Sequence, residues 1–149
     1  HWPESKSLEI EHNVFLEQAR LPDREQLGAV LRDHDRGLEL QEDMDPAADE
    51  VVLKLRYRGE ATGLEYYANP VDVQELRQEG LLRKGEARWL GERDFLISVV
   101  AHDDLQLRAA DALAAAVSLC ADGQLADAGE PPFIGPDTVL DWVRKRAGE

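Results

Sequence analysis

The sequence predicts an α+β domain: a mainly antiparallel sheet of about five strands with a long helix packed on one face. Three observations carry that prediction. Val51, Leu53, Leu55 and Tyr57 alternate with Lys54, Arg56 and Arg58, the period of two of a half-buried strand. Phe95 to Ala101 is a nearly continuous apolar run, the signature of a central strand buried on both faces. An alanine-rich stretch follows directly, with Leu105, Ala109, Leu113, Val117 and Cys120 on one helical stripe. The 149 residues suit one domain, 1–149, with no internal repeat, low-complexity tract or linker.

In chain order, Asn13 to Gln18 reads as the first strand. Leu21-Pro22-Asp23 breaks it and opens a helix whose Leu27, Val30, Leu31 and His34 fall at i, i+3, i+4 and i+7. Gly37 ends that helix, and Leu38 and Leu40 alternate with Glu39 and Gln41 in a second strand. An acidic loop leads to the strand at 51–58. Gly59-Glu60 then turns the chain into a strand over 61–68, making a hairpin that Asn69-Pro70 closes. Asp72 to Glu79 has short-helix character and stops at Gly80. Residues 81–93 read as irregular and carry Trp89. Asp103 or Asp104 caps the long helix, which reaches about Ala121 and ends at Asp122-Gly123. Leu125 to Ala128 suggests a short edge strand, Pro131-Pro132 and Gly135-Pro136 a loop. A last amphipathic helix near Asp137 carries Val139, Leu140, Trp142 and Val143.

Charge excludes some functions and suggests another. Thirty-one acids against seventeen bases give a net charge of −14, which opposes a nucleic-acid binder that relies on phosphate contacts. No apolar run reaches the roughly 20 residues of a membrane span, so no membrane partner is expected. The acids are concentrated: residues 1–50 hold fourteen against five bases, and residues 51–100 hold eight of each. Between Gly37 and Glu50, Glu39, Glu42, Asp43, Asp45, Asp49 and Glu50 meet no base at all. A solvated solubility loop is one reading. An electrostatic docking surface for a basic partner is the functional one.

Candidate chemistry is sparse. The lone Cys120 excludes an intrachain disulfide and a cysteine-built zinc site, and its place on an apolar stripe marks a structural thiol. His102-Asp103-Asp104, at the junction of central strand and long helix, offers one imidazole and two carboxylates to a metal or a reaction. Both aspartates also suit a helix N-terminus. An N-terminal His1 is able to chelate copper through its amine and ring, but His12, His34 and His102 show no ligand spacing to complete such a site. The chain opens at His1, and its only methionine is Met44. That start fits trimming or signal-peptide cleavage, and a cytoplasmic location is the expectation because nothing else resembles an export signal. There is no glycine-rich phosphate loop, no His-Glu-x-x-His helix and no nucleophile-elbow serine. Lys54, Arg56 and Arg58 share a strand face, suited to pairing with acids such as Glu65 or to an anionic ligand. Tyr66 and Tyr67 point to opposite faces of their strand, so one is core and the other is open to a partner, and Trp89 adds a further aromatic anchor.

The layout resembles a group of small bacterial α+β proteins of unassigned activity, several of which sit in secreted-toxin and immunity neighbourhoods. The residues that carry the likeness are Val14-Phe15-Leu16, the helix from Leu21 to Leu27, the 51–68 hairpin, Trp89, the 95–100 strand and the alanine-rich helix. The chain departs from the group after the hairpin, where Asn69-Pro70 stands in place of a proline-rich segment. The resemblance implies a non-catalytic protein-binding module, an immunity protein that sterically blocks a cognate basic toxin and needs no cofactor. The expected contact residues are Asp43, Asp45, Asp49, Glu50, Tyr66, Tyr67 and Trp89. The competing reading is a small enzyme or a metal- or ligand-binding domain built on the His102–Asp104 corner.

Overall fold

A computed structural model describes residues 9–149; the His1 copper reading lies outside the described residues. Seven strands form one sheet in the order β2-β3-β4-β5-β1-β6-β7, and every neighbouring pair is antiparallel. The strands are β1 (Ile10–Leu16), β2 (Leu38–Leu40), β3 (Glu50–Tyr57), β4 (Glu60–Pro70), β5 (Phe95–Ala101), β6 (Gln124–Asp127) and β7 (Glu130–Ile134). The helices are α1 (Arg24–Asp33), α2 (Val73–Gln78), α3 (Lys84–Leu90), α4 (Asp104–Ala121) and α5 (Val139–Arg146). The Phe95–Ala101 run is the middle strand, as its continuous apolar character predicts.

Alternation along the strands sorts the sheet into two faces. Val14 and Leu16, Leu53 and Leu55, Leu64 and Tyr66, and Ile97 and Val99 point into the main core, against α1, α4 and α5. Ala109, Ala110, Ala112, Ala114, Ala115 and Ala116 of α4 are buried, so small side chains bring this helix close to the sheet. Gly123, just past α4, allows the same close approach: a Cβ there would lie 2.7 Å from Val14 Cγ1. On the opposite face α2 and α3 cover only one end, where Phe15, Val73, Ala87 and Leu90 form a smaller cluster. Among the described residues no helix covers the rest of that face.

Two segments depart from the sequence reading. The stretch 81–93 contains α3, whose seven residues bury only Ala87 and Leu90, too few to set a helical period. Pro131 and Pro132 lie in a strand, at the outermost position of the sheet, where a missing N–H costs no ladder bond. Consequently β6 is interior, between β1 and β7, and the sheet has seven strands instead of about five.

A buried polar network ties the end of the chain to the core. The fully buried His12 contacts Asp111 Oδ1 through Nε2 at 2.8 Å, and its Nδ1 accepts the Ala128 N–H at 3.0 Å. Asp111 also accepts from Arg146 Nε at 3.1 Å and Nη2 at 3.2 Å. Arg146 reaches Asp127, which accepts from the Trp142 indole as well. Both imidazole nitrogens are occupied and sealed from solvent, so His12 is a structural post for α4, α5 and β6.

Candidate functional site

On the open face, polar chemistry, exposed apolar surface and an irregular backbone meet in one place. In the β3–β4 ladder Glu50 pairs with Tyr66 and Leu53 with Leu64, so Val51 and Val52 together oppose Glu65. This two-against-one bulge breaks the alternation that should bury one valine. Val51 is 71% and Val52 61% exposed. Bulges of this kind re-aim side chains and often stand beside functional sites. Gly63 helps here, because its missing side chain leaves space that Val52 Cγ1 fills, 3.1 Å from where a Cβ would be.

Glu65, opposite the bulge, sits in a chain of three polar side chains. Tyr67 donates its hydroxyl to Glu65 Oε1 at 2.6 Å, and His102 Nε2 meets Oε2. These two hydrogen bonds, with His102 the stronger influence, hold the Glu65 carboxyl below its usual range despite some desolvation. The same bond pushes the Tyr67 phenol above its usual range. His102 is placed by the end of β5 and the start of α4, where its backbone N–H donates to Gln106 Oε1 and Asp103 caps the helix by accepting from Gln106 N. Val51, Val52, Thr62, Gly63, Glu65, His102 and Gln106 line a shallow depression of about 260 Å³.

The residues singled out in the sequence do not form one surface. Tyr66 is fully buried, its hydroxyl donating to Pro46 O at 2.6 Å, and burial drives its pKa upward; its role is to fasten the acidic loop to the core. Tyr67 is the tyrosine on the open face. Trp89 is 63% exposed but lies at the other end of the sheet, its indole N–H donating to Gln124 of β6 at 2.9 Å. It borders an apolar groove of about 370 Å³ with Pro131, Pro132 and Phe133. The acidic loop joins β2 to β3 at the opposite edge, so Trp89 is separate from those acids.

Within the loop the four named acids divide by role. Asp49 Oδ1 accepts the Ala68 N–H at 2.8 Å and Asp45 Oδ1 the Ala47 N–H at 3.0 Å, so both shape the backbone. Asp43 accepts from the Gln41 side chain and Glu50 stands beside the bulge, with neither in an ion pair among the described residues.

The other candidates resolve individually. Among the described residues no three His, Cys, Asp or Glu side chains converge as a metal site, and Asp103 is committed to its cap. Cys120 is half-buried, and desolvation raises its thiol pKa to about 11, which leaves it protonated and unreactive near neutrality. Glu65 takes His102 as its hydrogen-bond partner instead of the basic strand face. Arg58 pairs with Glu149 and lies over the Tyr57 ring, while Arg56 donates to Gly59 O. The bulge was out of reach of sequence reasoning, since Val51-Val52 reads as ordinary strand. Only their adjacency, two valines where alternation calls for one, hinted at it.

Comparison of the chain with protein-family models, with curated proteins and with solved structures finds no match. The reading of this site therefore rests on its own residues: an apolar pair, a lining carboxylate and an acidic approach.

Proposed function

We propose that the protein is a non-catalytic binding module, an immunity protein that covers and blocks a basic toxin domain. The observation that carries the reading is the exposed Val51–Val52 bulge at the end of the acidic loop. Exposed valines offer an interface core to desolvate, and the neighbouring carboxylates steer a cationic partner and fix its orientation. The valines take the anchoring role that the sequence reading gave to an exposed aromatic, Tyr66, Tyr67 or Trp89. The mechanism is steric: the partner's basic groove is occupied, and no bond is made or broken.

The test is association kinetics with a basic toxin domain, measured from low to high salt. Replacing Glu42, Asp43 and Glu50 with lysine leaves the Asp45 and Asp49 backbone bonds intact. Association should slow by more than roughly tenfold, with the effect shrinking as salt screens the field over about 8 Å at physiological ionic strength. Val51→Ser with Val52→Ser should instead speed dissociation. Unchanged rates in both variants would refute the reading.

A second reading has one observation in its favour, the imidazole of His102 held by Glu65 at the rim of a depression, as a general base is held. A hydrolytic activity abolished by His102→Ala would establish it in place of the binding module.

A further inference from the structure

The depression beside the bulge has the chemistry of a receptor for one particular side chain. Its lining includes Glu65, whose side chain is 28% exposed and bonds Tyr67 through Oε1 and His102 through Oε2. A carboxylate offers about four lone-pair positions, two on each oxygen. One on each oxygen is therefore taken and one on each remains. Each oxygen can thus take one further N–H donor, which suits the several N–H groups of a guanidinium, whereas an ammonium supplies only a point charge.

The walls suit the rest of such a side chain. Val51 and Val52 present apolar surface at the rim, where a three-carbon stem can lie. The surrounding charge favours a cation: Asp49 and Glu50 lead into the bulge, and Asp103 and Asp104 follow His102. His102 already occupies its own side of the carboxylate, and Lys54, one row along opposite Gly63, makes no ion pair with Glu65 among the described residues. At about 260 Å³ the space is below the range of roughly 300–1,000 Å³ usual for small-molecule sites.

We infer that this depression is the receptor for a single arginine side chain of the basic partner, its guanidinium forked onto Glu65 and its stem against Val51 and Val52. The inference rests on the binding-module reading and names the residue by which the partner is recognised.

The test uses the full chain and three short peptides, identical except for a central arginine, lysine or citrulline, followed by NMR titration of the valine methyl groups. The arginine peptide should shift the Val51 and Val52 methyls and bind at least about tenfold more tightly than the isosteric, uncharged citrulline peptide. It should also bind more tightly than the lysine peptide, since lysine lacks the fork. Glu65→Gln should remove the preference for arginine. Equal binding of arginine and citrulline, equal binding of arginine and lysine, or shifts gathered away from the bulge would each overturn the inference. The peptide comparison needs no variant, so it decides the question even where Glu65→Gln fails to fold. Loop reversal against a whole toxin domain reads the parent proposal separately. Arginine selectivity with unchanged toxin-binding rates in both the loop and the valine variants would refute the immunity reading and leave the arginine receptor standing.

Discussion

Asp111 shows how much one side chain holds. It is 2% exposed, sits in the middle of α4, and is the common acceptor for His12, Arg146 and, at 3.5 Å, Arg108. Asp111→Ala should cost about 3–5 kcal/mol, because it leaves the Arg146 charge partly buried without its carboxylate. Thermal unfolding measures this, and a loss under about 1 kcal/mol would show that Asp127 alone suffices for Arg146. Glu65 makes a different kind of prediction. Its folded pKa lies below the unfolded value, so it adds stability above about pH 4.3, and that stability is lost as pH falls through the lowered value. Carboxyl-carbon NMR should find its midpoint below the ordinary glutamate range, and His102→Ala should raise it further than Tyr67→Phe does. Neither network was legible in the chain. His12 and Asp111 are ninety-nine positions apart, and Glu65 and His102 thirty-seven, so only the fold brings them together.

Elements were more legible than contacts, and for a physical reason. Strong local periodicity reports a face that is buried over most of its length, which holds for α1, α4 and the part of β3 from Leu53 to Tyr57. It holds above all for β5, where six of seven residues are buried. Ile97→Asp should therefore abolish the cooperative unfolding transition, since it places a charge among fully buried side chains at the middle of the sheet. Retention of the wild-type melting curve would contradict the central placement of β5. Where an element buries little, the signal fades. Of the five residues of β7 none is buried, and its two prolines argue for a loop in any reading that lacks its place at the sheet edge. The bulge of β3 hides for the converse reason: valine favours strands whether or not a ladder is regular.

At the scale of the molecule, charge and shape divide the surface in two. The edge with β2, β3 and the acidic loop carries the loop's acids and the exposed valines, with Lys54, Arg56 and Arg58 beside them. The far edge carries Trp89 with Pro131 and Pro132, near the exposed bases Arg83, Lys84 and Arg88 of α3 and its cap. The class of fold, the central strand and the acidic loop were readable from composition and period, whereas this separation follows from strand order, which no local pattern encodes. Strand order has a further consequence, in time. β1 opens the described chain, yet it lies between β5 and β6, pairing Ile10 with Ala101 and Val14 with Leu125. A nascent chain that has reached only residue 93 has made β1 and the 50–70 hairpin but neither neighbour of β1, so its apolar strand waits unpaired. A ribosome-stalled chain ending at residue 93 should be digested by protease throughout, and one extended past β7 should become resistant in a single step. A long interval of synthesis thus separates β1 from both its neighbours, during which β1 needs shelter, and the sheet is completed late and all at once.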